Sequence, residues 1–302
     1  MILYAGTGRQ MNRHILVFGN GLIGSAINSA LRSQHRWERH IVAWPWHERS
    51  GRQLAASLSI DLIRESHRID LVWAAGTSGF GSTDADMALE TDHLSEVAEL
   101  AVILAKRSDQ FIFHLFSSLG GLCEGQRLID RKAAPSPRRA YGLGKMRQEQ
   151  LVDGLGDHIV PRVYRPSSVY GVAHRGRRGL FASAAMAMLQ QKPLTVYGSA
   201  NTLRDYVFAR DIGTYVARLM TEQTVESDTV ILASGKPTTV TEAIFAMETL
   251  FGRRLYCRYE SSPHNSLDMT VRMSALPSAL PHTALSVGIA SVLQHVARSL
   301  AR

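Results

Sequence analysis

One short stretch constrains this chain more than any other: an apolar run that ends in glycine and passes at once into a helical pattern. His14-Ile-Leu-Val-Phe18 leads into Gly19-Asn-Gly-Leu-Ile-Gly24, and Ser25-Ala-Ile-Asn-Ser-Ala-Leu31 follows with helical spacing of its apolar residues. Strand, glycine turn and helix in this order are the context in which three glycines form a dinucleotide-binding turn. Gly19 makes the turn, Gly21 lets the backbone approach a pyrophosphate, and Gly24 lets helix and strand pack closely. Leu22 and Ile23 lie within that turn, where the free N–H groups of a helix N-terminus attract an anion. Glycines used for packing alone would build the same local structure. The strand-and-helix context weighs toward a cofactor site.

The remainder alternates strand-like and helix-like segments, which predicts an α/β fold with a doubly wound parallel sheet and, from the less regular last third, a smaller cap. His40–Trp44 reads as the second strand. An acid at its end would hold the ribose hydroxyls of NAD. The chain there reads Trp44-Pro-Trp-His-Glu-Arg49. His47 and Arg49 suit a 2′-phosphate, Glu48 suits a ribose, and a solvated loop explains them equally well. NAD(P) is expected, with NADP slightly favoured. Residues 51–68 read as a helix and Ile69–Trp73 as a strand ending in the small residues Ala74, Ala75 and Gly76, which suit a cofactor crossing the sheet edge. Residues 85–107 form a long amphipathic pattern, in part a possible dimer surface. Phe111–Phe116 reads as a buried parallel strand. It ends in Ser117-Ser118, hydroxyls at the edge where sites of such sheets form. Ser167–Gly171 reads as a turn, His174–Gly179 as a basic loop, and Thr241 as the N-cap of a helix over 239–251.

Tyr141-Gly-Leu-Gly-Lys145 places a phenol and an ammonium at i and i+4, on one face of a helix. A cation one turn away favours the phenolate, so the pair can exchange a proton with a substrate hydroxyl near neutral pH. Gly142 and Gly144 read as room for a flat ligand to approach the backbone. Taken alone, Tyr-x-x-x-Lys is a weak motif. Ser118, upstream in the same crossover, can hydrogen-bond the oxygen that Tyr141 serves; a strand-end cap is its plainer reading.

Composition narrows the rest. The chain has 302 residues, 45% hydrophobic and 20% charged, as for a globular protein of one large domain or two joined ones. No apolar run suits a membrane span. Two cysteines, Cys123 and Cys257, make no disulfide framework and point to a reducing cytoplasm. No Cys/His spacing suggests a metal. The net charge of +8 is scattered and carries no nucleic-acid motif; a positive field suits pyrophosphates of cofactor and substrate. Residues 1–10 read as a loose extension, with Met11 beginning the fold.

Several motifs stand in one order: Gly19-x-Gly21-x-x-Gly24, Ser118, Tyr141-x-x-x-Lys145, Arg165-Pro-Ser-Ser-Val-Tyr-Gly171, Leu194-Thr-Val-Tyr-Gly198, Arg204-Asp-Tyr-Val-Phe-Ala-Arg-Asp211 and Ala233-Ser-Gly-Lys-Pro237. In this the chain resembles the extended short-chain dehydrogenase/reductases, specifically the nucleotide-sugar epimerases and dehydratases. The resemblance implies a Rossmann NAD(P)-binding domain over 11–170. It implies a mainly substrate-binding domain over 171–302, with 203–218 and 229–233 returning to the first. It implies Tyr141 as catalytic acid/base, Lys145 on the nicotinamide ribose, and Ser118 on the sugar. Ser168 would lie near the nicotinamide and the substrate nucleotide, and Arg204 on the diphosphate of a nucleotide sugar. Homodimers are usual in the family. Three departures stand out. The first glycine is one position closer to the second, the acid after the second strand is displaced or missing, and Leu119-Gly120 stands where dehydratases carry Asp-Glu. The last argues against a 4,6-dehydratase. Three functions follow for test: a C4 epimerase, an NADPH-dependent 4-keto-sugar reductase, and a cofactor-binding regulator without catalysis.

Overall fold

The computed structural model describes residues 12–32, 37–63, 65–172, 179–222 and 226–301. The N-terminal stretch expected to be loose lies outside the described residues, as does the basic loop His174–Gly179 except for Gly179. In chain order the first half runs β1 (Arg13–Phe18), α1 (Leu22–Leu31), β2 (Glu38–Val42), α2 (Arg49–Leu62), β3 (Ser66–Trp73), α3 (Asp84–Ala105), β4 (Ser108–Phe116), α4 (Leu119–Leu122) and α5 (Ala140–Asp153). The second half runs β5 (Val160–Pro166), β6 (Ser168–Tyr170), α6 (Leu180–Gln190), β7 (Leu194–Tyr197), β8 (Leu203–Phe208), α7 (Ala209–Leu219), β9 (Asp228–Leu232), β10 (Pro237–Thr239), α8 (Val240–Phe251), β11 (Cys257–Glu260) and α9 (Leu285–Leu300).

Six strands form one parallel sheet in the order β2-β1-β3-β4-β5-β9. Helices cover both faces, so this is a doubly wound Rossmann-type sheet. Strand alternation divides the core. Leu16, Phe18, Leu71 and Phe113 face α3, while Ile15, Val17, Val72 and Tyr164 face α1 and α7. The chain leaves β1 toward β2 on one side and returns to β3 on the other. The crevice at the carboxyl ends of β1 and β3 is therefore the place such sheets offer a ligand.

Two smaller sheets, β10-β8-β6 and β11-β7, pack with α6, α8 and α9 around a separate apolar cluster that includes Phe181, Met188, Ile244 and Val292. Of the segments expected to return to the first domain, β9 is the sixth strand of the main sheet and α7 packs on α1, where Gly213 lies against the backbone of Ala26. β8 instead pairs with β6 and β10.

Several local readings change. The stretch 51–68 is not one helix: α2 ends at Leu62 and β3 has begun by Ser66. Ser168–Tyr170 is a strand, not a turn, because β8 offers it a partner. The N-cap of α8 is Thr239, whose hydroxyl accepts the Glu242 N–H while Glu242 accepts the Thr239 N–H; the Thr241 hydroxyl donates to the Ala200 carbonyl. Among the described residues no helix is long and apolar enough to cross a membrane.

Candidate active site

The glycine turn opens the crevice. Gly19 has φ +97°, in the left-handed region, and a Cβ there would lie 2.6 Å from the Ala75 Cα. A Cβ on Gly24 would press into the Gly19 carbonyl. Gly21 caps α1 with open space before it, and α1 has neither a side-chain cap nor an acid in its first turn. Its leading N–H groups, beginning with those of Leu22 and Ile23, are thus left for an anion. Ala74 and Ala75 leave β3 directly against Gly19. These are features a dinucleotide pyrophosphate fits.

Tyr141 lies in the first turn of α5. Its ring covers Gly121, 2.9 Å from where a Cβ would stand, and meets the edge of Phe80 at 5.7 Å between centroids. Gly121 belongs to α4, whose N-cap is Ser118; the Ser118 hydroxyl accepts the Gly121 N–H at 3.1 Å. The serine is thus a cap, as its plainer reading had it, and the cap also fixes it beside the ground that Tyr141 covers. Gly142 and Gly144 do not open a path for a ligand. Gly142 abuts the Gly121 backbone and Gly144 abuts Met87 of α3, so the glycines let α5 settle closely on its neighbours.

Lys145 is buried, its Nζ 5.8 Å from the centre of the Tyr141 ring and 3.3 Å from where a Gly76 Cβ would stand. It donates to Glu90 at 2.7 Å and to Gln148 at 3.0 Å. Burial alone would lower its pKa; the charges of Glu90 and Tyr141 outweigh that and raise it. Lys145, Gly76, Ala75 and Gly19 are therefore successive neighbours, and they connect the Tyr/Lys helix to the glycine turn.

Other expected positions sit farther apart. Ser168 is half-buried on β6, opposite Tyr206. Arg204, on β8, donates to the carbonyls of Asn265 and Leu267. His47 and Arg49 are exposed, one in a turn and one at the start of α2. At the end of β2 no acid stands. Trp44 turns inward to donate to His93 at 3.1 Å, Trp46 stacks on the same ring at 4.5 Å, and Glu48 is exposed at the α2 N-cap.

Three groups were not singled out from the sequence. Glu90 is one; its signal is a carboxylate on the apolar stripe of Met87, Leu94 and Val97. Phe80 is another, and Arg139, 4.9 Å above the Phe80 ring and paired with buried Glu124, is the third. Among the described residues one set has the composition of metal ligands: His14, Glu38 and His40. His14 Nδ1 is 3.4 Å from His40 Nε2, with ring planes 18° apart and centroids 5.7 Å apart. The nitrogens meet head-on, which suits a shared proton better than lone pairs converging on an ion. His14 and Glu38 stand at the amino ends of β1 and β2, away from the crevice.

Comparison with known proteins agrees with this architecture. The NAD dependent epimerase/dehydratase family matches residues 15–233. A Bacillus subtilis (strain 168) protein described as an uncharacterized UDP-glucose epimerase is 24% identical over 194 residues. That match covers 62% of this chain and 60% of the relative's length. The crystal structure of a Bacillus cereus UDP-glucuronic acid 4-epimerase, in complex with UDP-glucuronic acid and NAD, is 17% identical. It superposes with a TM-score of 0.75 over 95% of this chain and 99% of its own. A Thermotoga maritima UDP-glucose 4-epimerase with UDP-glucose is 16% identical, with the same TM-score and coverage. At these identities the structural likeness is one of fold.

Proposed function

This chain belongs to the NAD-dependent epimerase/dehydratase family, and on that premise we propose that it is a nucleotide-sugar epimerase. It inverts one sugar carbon, C4, by oxidation and re-reduction with a retained NAD(P). What supports the reading is one juxtaposition: a tyrosine whose ring covers Gly121, the residue Ser118 caps, one turn from a buried lysine that reaches the glycine turn through Gly76.

A bound nicotinamide would supply hydride acceptance and return. The chain's own residues do the rest. Tyr141 takes the proton of the sugar hydroxyl as the carbon is oxidised and gives it back on re-reduction. Ser118 accepts the Gly121 N–H, which leaves its O–H to donate to the same sugar oxygen. Lys145 keeps a positive charge beside the Tyr141 ring, and it would hold the nicotinamide ribose. Leu119 and Gly120, both buried, follow Ser118, so no carboxylate stands there to expel water from the sugar. Ser168 and Arg204 are assigned to the nucleotide and diphosphate of the substrate. The UDP-sugars named for the structural relatives make that class the first to try. Exposed Leu89, Val102 and Ile103 on α3 and Leu143 on α5 support a homodimer through these helices.

A second reading, a 4-keto-sugar reductase consuming NADPH, is favoured by the missing acid after β2 and by exposed His47 and Arg49. Incubation with UDP-sugars, with product chromatography and absorbance at the reduced-nicotinamide band, separates the two. Epimer formation without consumption of added NADPH is the expected result. Steady NADPH consumption coupled to product replaces it with the reductase, and no turnover of any nucleotide sugar refutes both.

A further inference from the structure

Glu90 is 1% exposed, in the middle of the apolar stripe of α3. A carboxylate in such a place is strongly disfavoured unless it is paired and hydrogen-bonded. Its partners come from two other segments. One oxygen accepts from Lys145 Nζ at 2.7 Å and from Gln148 Nε2 at 3.2 Å, both on α5. The other accepts the N–H groups of Thr77 and Ser78, at 2.9 and 2.8 Å, in the loop that leaves β3 and carries Phe80 toward Tyr141. Gly76 lacks the Cβ that would press on this pair, at 3.0 Å from Glu90 and 3.3 Å from Lys145.

We propose that Glu90 is the positioning residue of Lys145: its counter-ion keeps the buried ammonium protonated and aimed at the end of β3, and ties the Phe80 loop to the Tyr141 helix. This rests on the reading of Tyr141 and Lys145 as the proton-handling pair. Both oxygens of Glu90 are occupied within the protein, so it acts through Lys145 and not on a ligand. Among the described residues, the other charged groups with the strongest influence on Lys145 are on its own helix. They are Tyr141 and Glu149, and Glu149 is already bound to Arg165 of β5. From α3 the charge that pairs with Lys145 is that of Glu90, and the β3–α3 loop, which carries no charged side chain, contributes backbone N–H groups to Glu90. The ionisation balance agrees in direction. Burial would raise the Glu90 pKa, yet Lys145 holds it down at about 2, and Lys145 itself is raised against its own burial.

A structural staple and a counter-ion differ in their pH dependence. The test measures kcat from pH 6 to 11 for the wild type, Glu90→Asp and Glu90→Gln, with melting temperatures over the same range. The wild type is expected to hold its activity well into the alkaline range, because Lys145 keeps its proton. Without the carboxylate, burial pushes the ammonium toward the neutral amine. The alkaline limb of Glu90→Gln then moves down by about one pH unit or more. Glu90→Asp, with its charge one methylene farther away, falls between the two.

Melting supplies a readout without turnover. In Glu90→Gln the folded Lys145 pKa lies below its unfolded value. Between the two the unfolded chain binds more protons, so stability rises with pH and the gap to the wild type narrows. A uniform drop in kcat with coincident limbs overturns the proposal. If Glu90→Gln does not fold, an unmoved limb in Glu90→Asp overturns it equally. A wild type that turns over no nucleotide sugar speaks against the functional reading instead; an active wild type whose limb the variants do not move speaks against Glu90 alone.

Discussion

Gly142→Ala isolates the contact that seats the Tyr141 helix against α4, the turn Ser118 caps. A Cβ at Gly142 would stand 2.8 Å from the Gly121 carbonyl carbon, closer still to its oxygen, and 2.9 Å from Pro137 Cβ. Carbon pairs prefer about 3.5–4.0 Å, so α5 must move away from α4 by about 1 Å. Two of the three clashes are with backbone, so no rotamer change relieves them. The helix gains about 0.8–1.0 kcal/mol of intrinsic propensity from alanine. Overpacking costs about 1–3 kcal/mol, so a modest net destabilisation is expected. The effect on rate is larger. A displacement of about 1 Å between Tyr141 and the oxygen held by Ser118 lowers kcat by about 10²-fold. The glycine turn at Gly19–Gly24 keeps its place while Lys145 moves with α5, so cofactor is expected to be retained less tightly than in the wild type. The assay is steady-state turnover of a UDP-sugar beside the nucleotide content of the purified protein. Wild-type kcat in a folded Gly142→Ala would refute the idea that this approach of helices sets the catalytic geometry.

Three further outcomes follow from local geometry. Gly24→Ala, whose Cβ would stand 2.9 Å from the Gly19 carbonyl carbon, is expected to lose bound nucleotide and about 1–3 kcal/mol of stability, read by absorbance ratio and melting. Thr83→Ala removes the capping box of α3, where Thr83 and Asp86 satisfy each other's backbone N–H groups; it should cost about 1 kcal/mol, seen as a small fall in melting temperature. Glu90, held at about 2 against an ordinary 4.5, contributes stability that is complete above pH 4.5 and lost as pH falls toward 2. The loss is on the order of 3 kcal/mol. Acid unfolding followed by circular dichroism should lack this component in Glu90→Gln.

Much of the fold was legible because its signals are local. The glycine turn, the buried strand Phe111–Phe116 and the periodicity of α3 each declare themselves within a dozen residues. What was not legible depends on partners distant in sequence. Ser168–Tyr170 becomes a strand only because β8 lies alongside. Gly142 and Gly144 look like room for a ligand until α4 and α3 are in place. Asp70 and His114, inside apolar strands, meet as a buried network with Arg68 and Tyr164, at 2.7–2.9 Å, that no spacing rule connects. Glu90 belongs to the same class: a charge on an apolar stripe announces a partner without naming it. The placement of Tyr141 and Lys145 on one helix face was legible as Tyr141-x-x-x-Lys145, whereas the ion pair that holds the lysine was not.

The most direct test of the central claim uses a UDP-sugar carrying deuterium at C4. If Tyr141 handles only the hydroxyl proton while the carbon-bound hydrogen is stored and returned within one active site, both C4 epimers keep the deuterium, without added NADPH. Tyr141→Phe then slows the inversion by about 10²–10⁴-fold. Deuterium lost to solvent during inversion, or inversion undiminished in Tyr141→Phe, would contradict the account.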